Sequence, residues 1–155
     1  MSQRVVVTGM AGISPLGCDW ETVLAKLQSH TNATQRMPQW AQIAHLNSVV
    51  YAPAADFELP KERYNRKTTR SMSRVALMAC RTAELALRDA QLFDEEWIHE
   101  GDMGVSYGSC AGSSDALLEI ASLNHTQSTS GLNATTYVRF MSHTAPVNIS
   151  VFHRI

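Results

Sequence analysis

Residues 4–17 read RVVVTGMAGISPLG, and the reading of this stretch decides the fold. Val5, Val6, Val7 and Thr8 are β-branched, and three adjacent valines suit a strand buried on both faces, which need not alternate apolar with polar. Gly9, Gly12 and Gly17, with Pro15 between them, let the chain turn sharply and bring its backbone close to another element. A core strand, a glycine-rich turn and a helix in that order open an α/β domain. From Gly9 the spacing is G-x-x-G-x-x-x-x-G. It matches neither G-x-G-x-x-G nor G-x-x-x-x-G-K-[ST], so a structural turn is expected here rather than a cradle for nucleotide phosphates.

Outward from that stretch, Asp19 is placed to cap a helix whose apolar stripe is Trp20, Val23, Leu24 and Leu27. Residues 29–47 lack periodicity and read as an excursion that packs by Trp40. A short strand is expected over 49–51, and an extended run over 53–60. A basic run follows: Lys61, Arg63, Arg66, Lys67, Arg70 and Arg74, with only Glu62 to offset it. The longest helix is expected over 69–92, rich in Ala, Leu, Met, Arg and Glu. Met72, Val75, Ala76, Ala79, Ala83, Ala86, Leu87 and Ala90 share one face, and so many alanines predict close approach of a neighbour.

A second strand is expected over 103–107, ending at the turn Gly108-Ser109-Cys110-Ala111-Gly112. Ser113 or Ser114 then caps a helix through Leu123. After a polar loop over 124–131 come helices over 134–141 and 144–152, with Pro146 in the first turn of the latter, where its missing N–H costs nothing. Strand, helix, strand, long helix, strand, helices is an α/β layered pattern.

Composition narrows the function classes. The 155 residues are 45% hydrophobic and 17% charged, enough to bury the core of one domain. A net charge of −1 supplies no general attraction to nucleic acid, and Tyr64 is the one aromatic near the basic run, so base stacking is not expected. Cys18, Cys80 and Cys110 are odd in number, widely spaced and without a C-x-x-C, as in a reducing, cytoplasmic setting. The sequons at Asn32, Asn124, Asn133 and Asn148 are then chance matches. No apolar stretch approaches the roughly 18 residues of a membrane span, and no signal peptide is recognisable.

Two features stand out as candidate chemistry. Gly108 and Gly112 flank Cys110 as the glycines of a G-x-S-x-G elbow flank its nucleophile, with His143 as the nearest candidate base. The plainer expectation is a small buried thiol lining a pocket. The basic run forms a local positive patch, suited to an acidic protein or a phosphate group. The six histidines never pair at i, i+4 or with cysteine at ligand spacing, so neither a metal nor another cofactor is expected.

Taken together, these segments resemble the β-ketoacyl-[acyl carrier protein] synthases, the condensing enzymes of fatty-acid and polyketide synthesis. RVVVTGMAGISPLG is similar to their amino terminus. RKTTRSMSRVALMACRTAELALRDA is similar to their long helix with its basic lead-in, and MGVSYGSCAGS to their second core strand and turn. LNATTYVRFMSHTAPVNISVF is similar to the segment before the nucleophile, most of all in synthase II-like enzymes of aryl polyene clusters. The resemblance implies a thiolase-like α/β fold, layered about a central mixed sheet, with residues 1–155 as its amino-terminal half. It implies an active-site cysteine that takes an acyl group from acyl carrier protein or coenzyme A, and two histidines that help decarboxylate malonyl carrier protein. The family's A-C-x-S/T-G nucleophile motif comes after the segment that ends at Ile155, so no catalytic residue is expected within these residues. FHRI also departs from the family pattern, in which a glycine and a basic turn lead to the next strand.

By the same resemblance, Lys67 and Arg70 match the positions that contact the acidic carrier protein, with Ser71 where a third basic residue is common. Cys110 and Ala111 fall in the turn that lines the acyl pocket, Ala111 at the gatekeeping position. A homodimer, or a heterodimer with a synthase chain, is implied. A half fold is expected to expose apolar faces and to depend on a partner chain. The rival expectations are an inactive partner of a full-length synthase and, more remotely, an acyltransferase working through Cys110 alone.

Overall fold

The structure is a computed structural model, and it describes residues 4–155. The chain forms two compact units: Ala11–Glu58, and Leu59–Ile155 together with the described residues up to Met10.

In the smaller unit Ser14 and Gly17 exchange backbone hydrogen bonds, Ser14 N–H to the Gly17 carbonyl at 2.9 Å and the reverse at 3.2 Å. The glycine-rich stretch is therefore a structural turn, as its spacing predicts. Helix α1 (Trp20–Gln28) starts where Asp19 accepts from the Thr22 N–H at 2.8 Å. That backbone hydrogen bond holds the Asp19 carboxyl below its ordinary pKa. Strands β1 (Gln35–Arg36) and β2 (Val50–Tyr51) pair antiparallel, Gln35 opposite Tyr51 and Arg36 opposite Val50. Trp40 lies 5.7 Å from the Tyr51 ring, centroid to centroid, so the excursion does pack by its tryptophan.

The larger unit is built on helices: α2 (Arg66–Thr69), α3 (Arg74–Asp89), α4 (Ser114–Thr126), α5 (Ala134–Phe140) and α6 (Thr144–His153). The helix expected over 69–92 is shorter at both ends, α3 alone, and the short α2 precedes it as a separate helix. Asn65 accepts from the N–H groups of Lys67 and Thr68 to cap α2, and Ser73 accepts from Ala76 N–H to cap α3. Short polar side chains that bond nearby backbone compete with a continuous helix, which breaks the chain at 70–73. The other end falls at Gln91, where φ reaches 58° and helical φ/ψ stops. Helix α4 runs on to Thr126, beyond the expected Leu123, and stops at Gln127, again with a positive φ of 50°.

The core lies between α3 and α6: Tyr64, Met72, Ala76, Ala79, Cys80, Ala145 and Ile149 are buried together. Small residues on α3 admit the close approach that the alanine stripe predicts. Gly9 uses that closeness on the same helix. A Cβ there would lie 2.5 Å from Ala90 N and 2.6 Å from the Ala86 carbonyl oxygen, while the next residue, Met10, donates its N–H to Asp89 at 2.8 Å.

The two predicted core strands differ from expectation. Neither 5–8 nor 103–107 forms a ladder among the described residues. Val5 is 94% exposed and Val7 78%. A strand exists only through hydrogen bonds to a second strand, and no strand among the described residues pairs with these. Val105 alone of the second segment packs against the core.

Candidate functional site

Two surfaces carry the residues singled out by sequence, and a third cluster was not foreseen. The first surface is the turn 108–112. Its downstream end is fixed to α5. Gly112 N–H donates to the Phe140 carbonyl at 3.0 Å, and Ser113 N–H to that of Arg139 at 2.8 Å. A Cβ on Gly112 would collide with the Arg139 carbonyl oxygen and lie 2.6 Å from that of Phe140, so only glycine fits this approach. Ser113 caps α4 through Ala116 N–H. Glu119 of α4 accepts from the Thr136 hydroxyl at 2.6 Å and from Arg139 at 2.9 and 3.1 Å. The Thr136 hydroxyl, and then Arg139, hold the Glu119 carboxyl below its ordinary pKa. Helices α4 and α5 are thereby clamped, and the turn that carries Cys110 and Ala111 is anchored at its downstream edge. Ser109 Oγ donates to the Ala111 carbonyl at 2.7 Å inside the turn.

Cys110 is exposed, contrary to the buried thiol expected; no side chain among the described residues closes over the turn. Among the described residues no hydrogen bond or ion pair joins Cys110 to His143, which stands at the N-cap of α6 with no side-chain capping bond. The thiol–imidazole pair that a nucleophile needs is not assembled.

The second surface is α2. Lys67 and Arg70 are both exposed and form no ion pair among the described residues. Their neighbour Arg66 is exposed as well. The basic run is not uniform, however. Arg63 turns inward and places its guanidinium 4.5 Å above the Phe93 ring and 5.2 Å from that of Phe152.

The unforeseen cluster explains that turn. Glu84 on α3 is 1% exposed and gathers three arginines: Arg81 at 3.0 Å, Arg88 at 3.1 Å and Arg63 at 3.7 Å. Tyr64 also donates its hydroxyl to Glu84 at 2.9 Å. Burial opposes the Glu84 charge, but the Tyr64 and Arg88 hydrogen bonds and the arginine charges outweigh it, and the pKa lies below the usual value of 4.5. Burial, and then the bond to Glu84, push the Tyr64 phenol up. Beneath it Cys80 is wholly buried, and burial pushes its thiol up to about 12. This thiol is inert. The Cys80 carbonyl accepts from His153 Nε2 of α6 at 2.9 Å, and burial holds that imidazole below its ordinary pKa. The sequence does carry a signal for Glu84: Ala76, Cys80 and Glu84 recur at i, i+4 on one helix face, with Arg81 and Arg88 three residues before and four after it.

Among the described residues there is no cluster of three or more metal-ligating side chains, and no helix is long and apolar enough to cross a membrane.

Comparison with known proteins agrees with this architecture. Residues 2–155 match the model of the beta-ketoacyl synthase N-terminal domain. The crystal structure of a beta-ketoacyl synthase from Burkholderia phymatum STM815 is similar at a TM-score of 0.90 and 39% identity, over 99% of this chain. The chain spans 38% of that protein's length. No curated protein matches. The helix-rich α/β chain is thus thiolase-like in fold, and it belongs to the beta-ketoacyl synthase family, of which it carries the N-terminal domain.

Proposed function

We propose that the chain is the amino-terminal part of a 3-oxoacyl-[acyl carrier protein] synthase, which condenses an acyl thioester with malonyl carrier protein by decarboxylation, in fatty-acid or polyketide synthesis, aryl polyenes included. The observation that carries this reading is the family match over residues 2–155. In the proposal Lys67 and Arg70 receive the acidic carrier protein. Their exposure and their lack of an ion-pair partner among the described residues support that role, because a rim charge already paired within its own chain has little left for a second protein. Cys110 and Ala111 line the acyl pocket, on a turn held in place through Gly112 and Ser113. Ala111, having only a methyl group, leaves room for a long or stiff acyl chain. The nucleophile and the catalytic histidines are supplied from beyond these residues, and the protein acts in the cytoplasm as a homodimer or beside a second synthase chain.

The test uses two substrates that differ only in carrier. In the intact synthase, Lys67→Glu with Arg70→Glu is expected to raise KM for acyl carrier protein about tenfold, or roughly 1.4 kcal/mol. KM for the same acyl group on coenzyme A stays unchanged. Equal KM values for the carrier-bound substrate in wild type and variant refute the docking role.

A further inference from the structure

Helix α2, which carries the proposed docking residues, is too short to hold itself in place. It is a single turn of 4 residues, none of them buried, with Lys67 inside it and Arg70 at its C-cap. One turn makes too few hydrogen bonds to be stable alone, so its position comes from the residues at either end. Downstream, Met72 donates its N–H to the Thr69 carbonyl at 2.9 Å, and its side chain is buried in the core. Upstream, the last buried residue before α2 is Tyr64.

Three observations make Tyr64 the upstream anchor. First, its hydroxyl donates to Glu84 Oε2 at 2.9 Å. The other oxygen of Glu84 is held by Arg81 at 3.0 Å and Arg88 at 3.1 Å. The acceptor is therefore charged and fixed within α3, and a hydrogen bond to a charged group is strong. Second, the anchor is joined to α2 by a continuous set of short bonds. Asn65, next to Tyr64, accepts with its side chain from the Lys67 and Thr68 N–H groups at 3.0 and 3.3 Å. Its carbonyl accepts from the Thr69 N–H at 3.0 Å. Thr68 Oγ1 donates to the Arg63 carbonyl at 2.7 Å, which closes α2 back on the residue before Tyr64. Third, Lys67 and Arg70 are exposed and take no part in an ion pair among the described residues. They project from a frame that other residues fix.

We propose that Tyr64 is a positioning residue for carrier recognition: its hydrogen bond to Glu84 sets the direction in which α2 presents Lys67 and Arg70. The inference rests on the docking role proposed above for those two residues. Tyr64 is 8% exposed and acts through them. Without its hydroxyl, α2 gains freedom, and the two cations meet an acidic partner in the right geometry less often. Both side chains are long and follow a partner in part, so the effect is smaller than that of reversing their charges.

The test is steady-state kinetics of the intact synthase, with one acyl group borne on acyl carrier protein or on coenzyme A. Tyr64→Phe keeps the ring and removes only the hydroxyl. It is expected to raise KM for the carrier-borne substrate about threefold, against about tenfold for Lys67→Glu with Arg70→Glu. Its kcat, and its KM for the coenzyme A substrate, stay at wild-type values. In the triple variant Tyr64→Phe adds no further loss, because it acts through the same side chains. Ile98→Val, which trims a buried side chain of another segment, lowers Tm and leaves both KM values unchanged. If Tyr64→Phe leaves the carrier KM unchanged while the charge reversal raises it, the positioning role is overturned and the docking role stands. If the charge reversal raises nothing, the docking role falls and the positioning role with it. An equal rise for the coenzyme A substrate overturns the positioning role too. So does a full multiplication of the two effects in the triple variant, or an equal rise of the carrier KM in Ile98→Val.

Discussion

Replacing Glu84 by glutamine should destabilise the protein more than any other single loss of charge in this chain. The carboxylate is 1% exposed and, among the described residues, is the one anion paired with Arg63, Arg81 and Arg88. Breaking a buried ion pair by removing one partner costs about 3–5 kcal/mol. Two features lower that figure here. The side chains of Arg88 and Arg63 are 47% and 31% exposed, so water solvates part of the orphaned charge. The glutamine carbonyl can still accept from the Tyr64 hydroxyl, which retains about 1 kcal/mol. The expected loss is therefore about 2–3 kcal/mol, which for a domain of this length lowers Tm by roughly 4–12 °C. Glu84→Met should cost more, because it leaves the phenol as well as three guanidiniums without an acceptor. The assay is thermal and urea unfolding of the intact protein. The sign of the pH dependence is fixed by the lowered pKa. Stability from Glu84 is fully present above the unfolded value near 4.5 and drains away as the pH falls through the lower folded value. A Glu84→Met protein as stable as wild type would refute the claim that the carboxylate holds these arginines in place.

Other outcomes follow from the same contacts. Gly112→Ala should cost about 1–3 kcal/mol and shift the amide resonances of Cys110 and Ala111, because the added methyl meets the Arg139 and Phe140 carbonyls; an unaltered spectrum would contradict that packing. His153→Gln should flatten the loss of stability on acidification below pH 6.5, since burial holds the native imidazole pKa under that value and the unfolded chain takes up the proton first; urea midpoints at successive pH values decide it. Ala111→Phe in the intact synthase should shorten the products, as read by mass spectrometry of the acyl carrier protein; products of unchanged length would remove Ala111 from the pocket.

Local chemistry was legible in the sequence where a few neighbouring residues decide the outcome. Asp19 caps the helix assigned to it, Ser113 rather than Ser114 caps α4, Pro146 sits in the first turn of α6, and the glycine-rich stretch after Val7 holds the Ser14–Gly17 turn. The alanine stripe correctly announced a close neighbour, and Gly9 shows why, packed on Ala86 and Ala90. What escaped were features set by distant parts of the chain. Strands at 5–8 and 103–107 are written in β-branched and apolar residues, but no strand among the described residues pairs with them. The break at 70–73 depended on which of several polar side chains wins a cap. Glu84 escaped because a charged residue on a helix usually faces water; its burial requires Tyr64 and Arg63 to arrive from another segment. For Cys110, residue type and flanking glycines gave no measure of exposure, since exposure depends on what covers the turn.

The most direct test of the family function is a condensation assay on the protein as isolated from its own host, with every chain that accompanies it. Acyl carrier protein charged with an acyl group is mixed with malonyl carrier protein, and the products are weighed by mass spectrometry. Release of carbon dioxide with formation of a 3-oxoacyl carrier protein is the predicted result. Intact substrates after prolonged incubation, with no complex formed on the carrier protein, would contradict it.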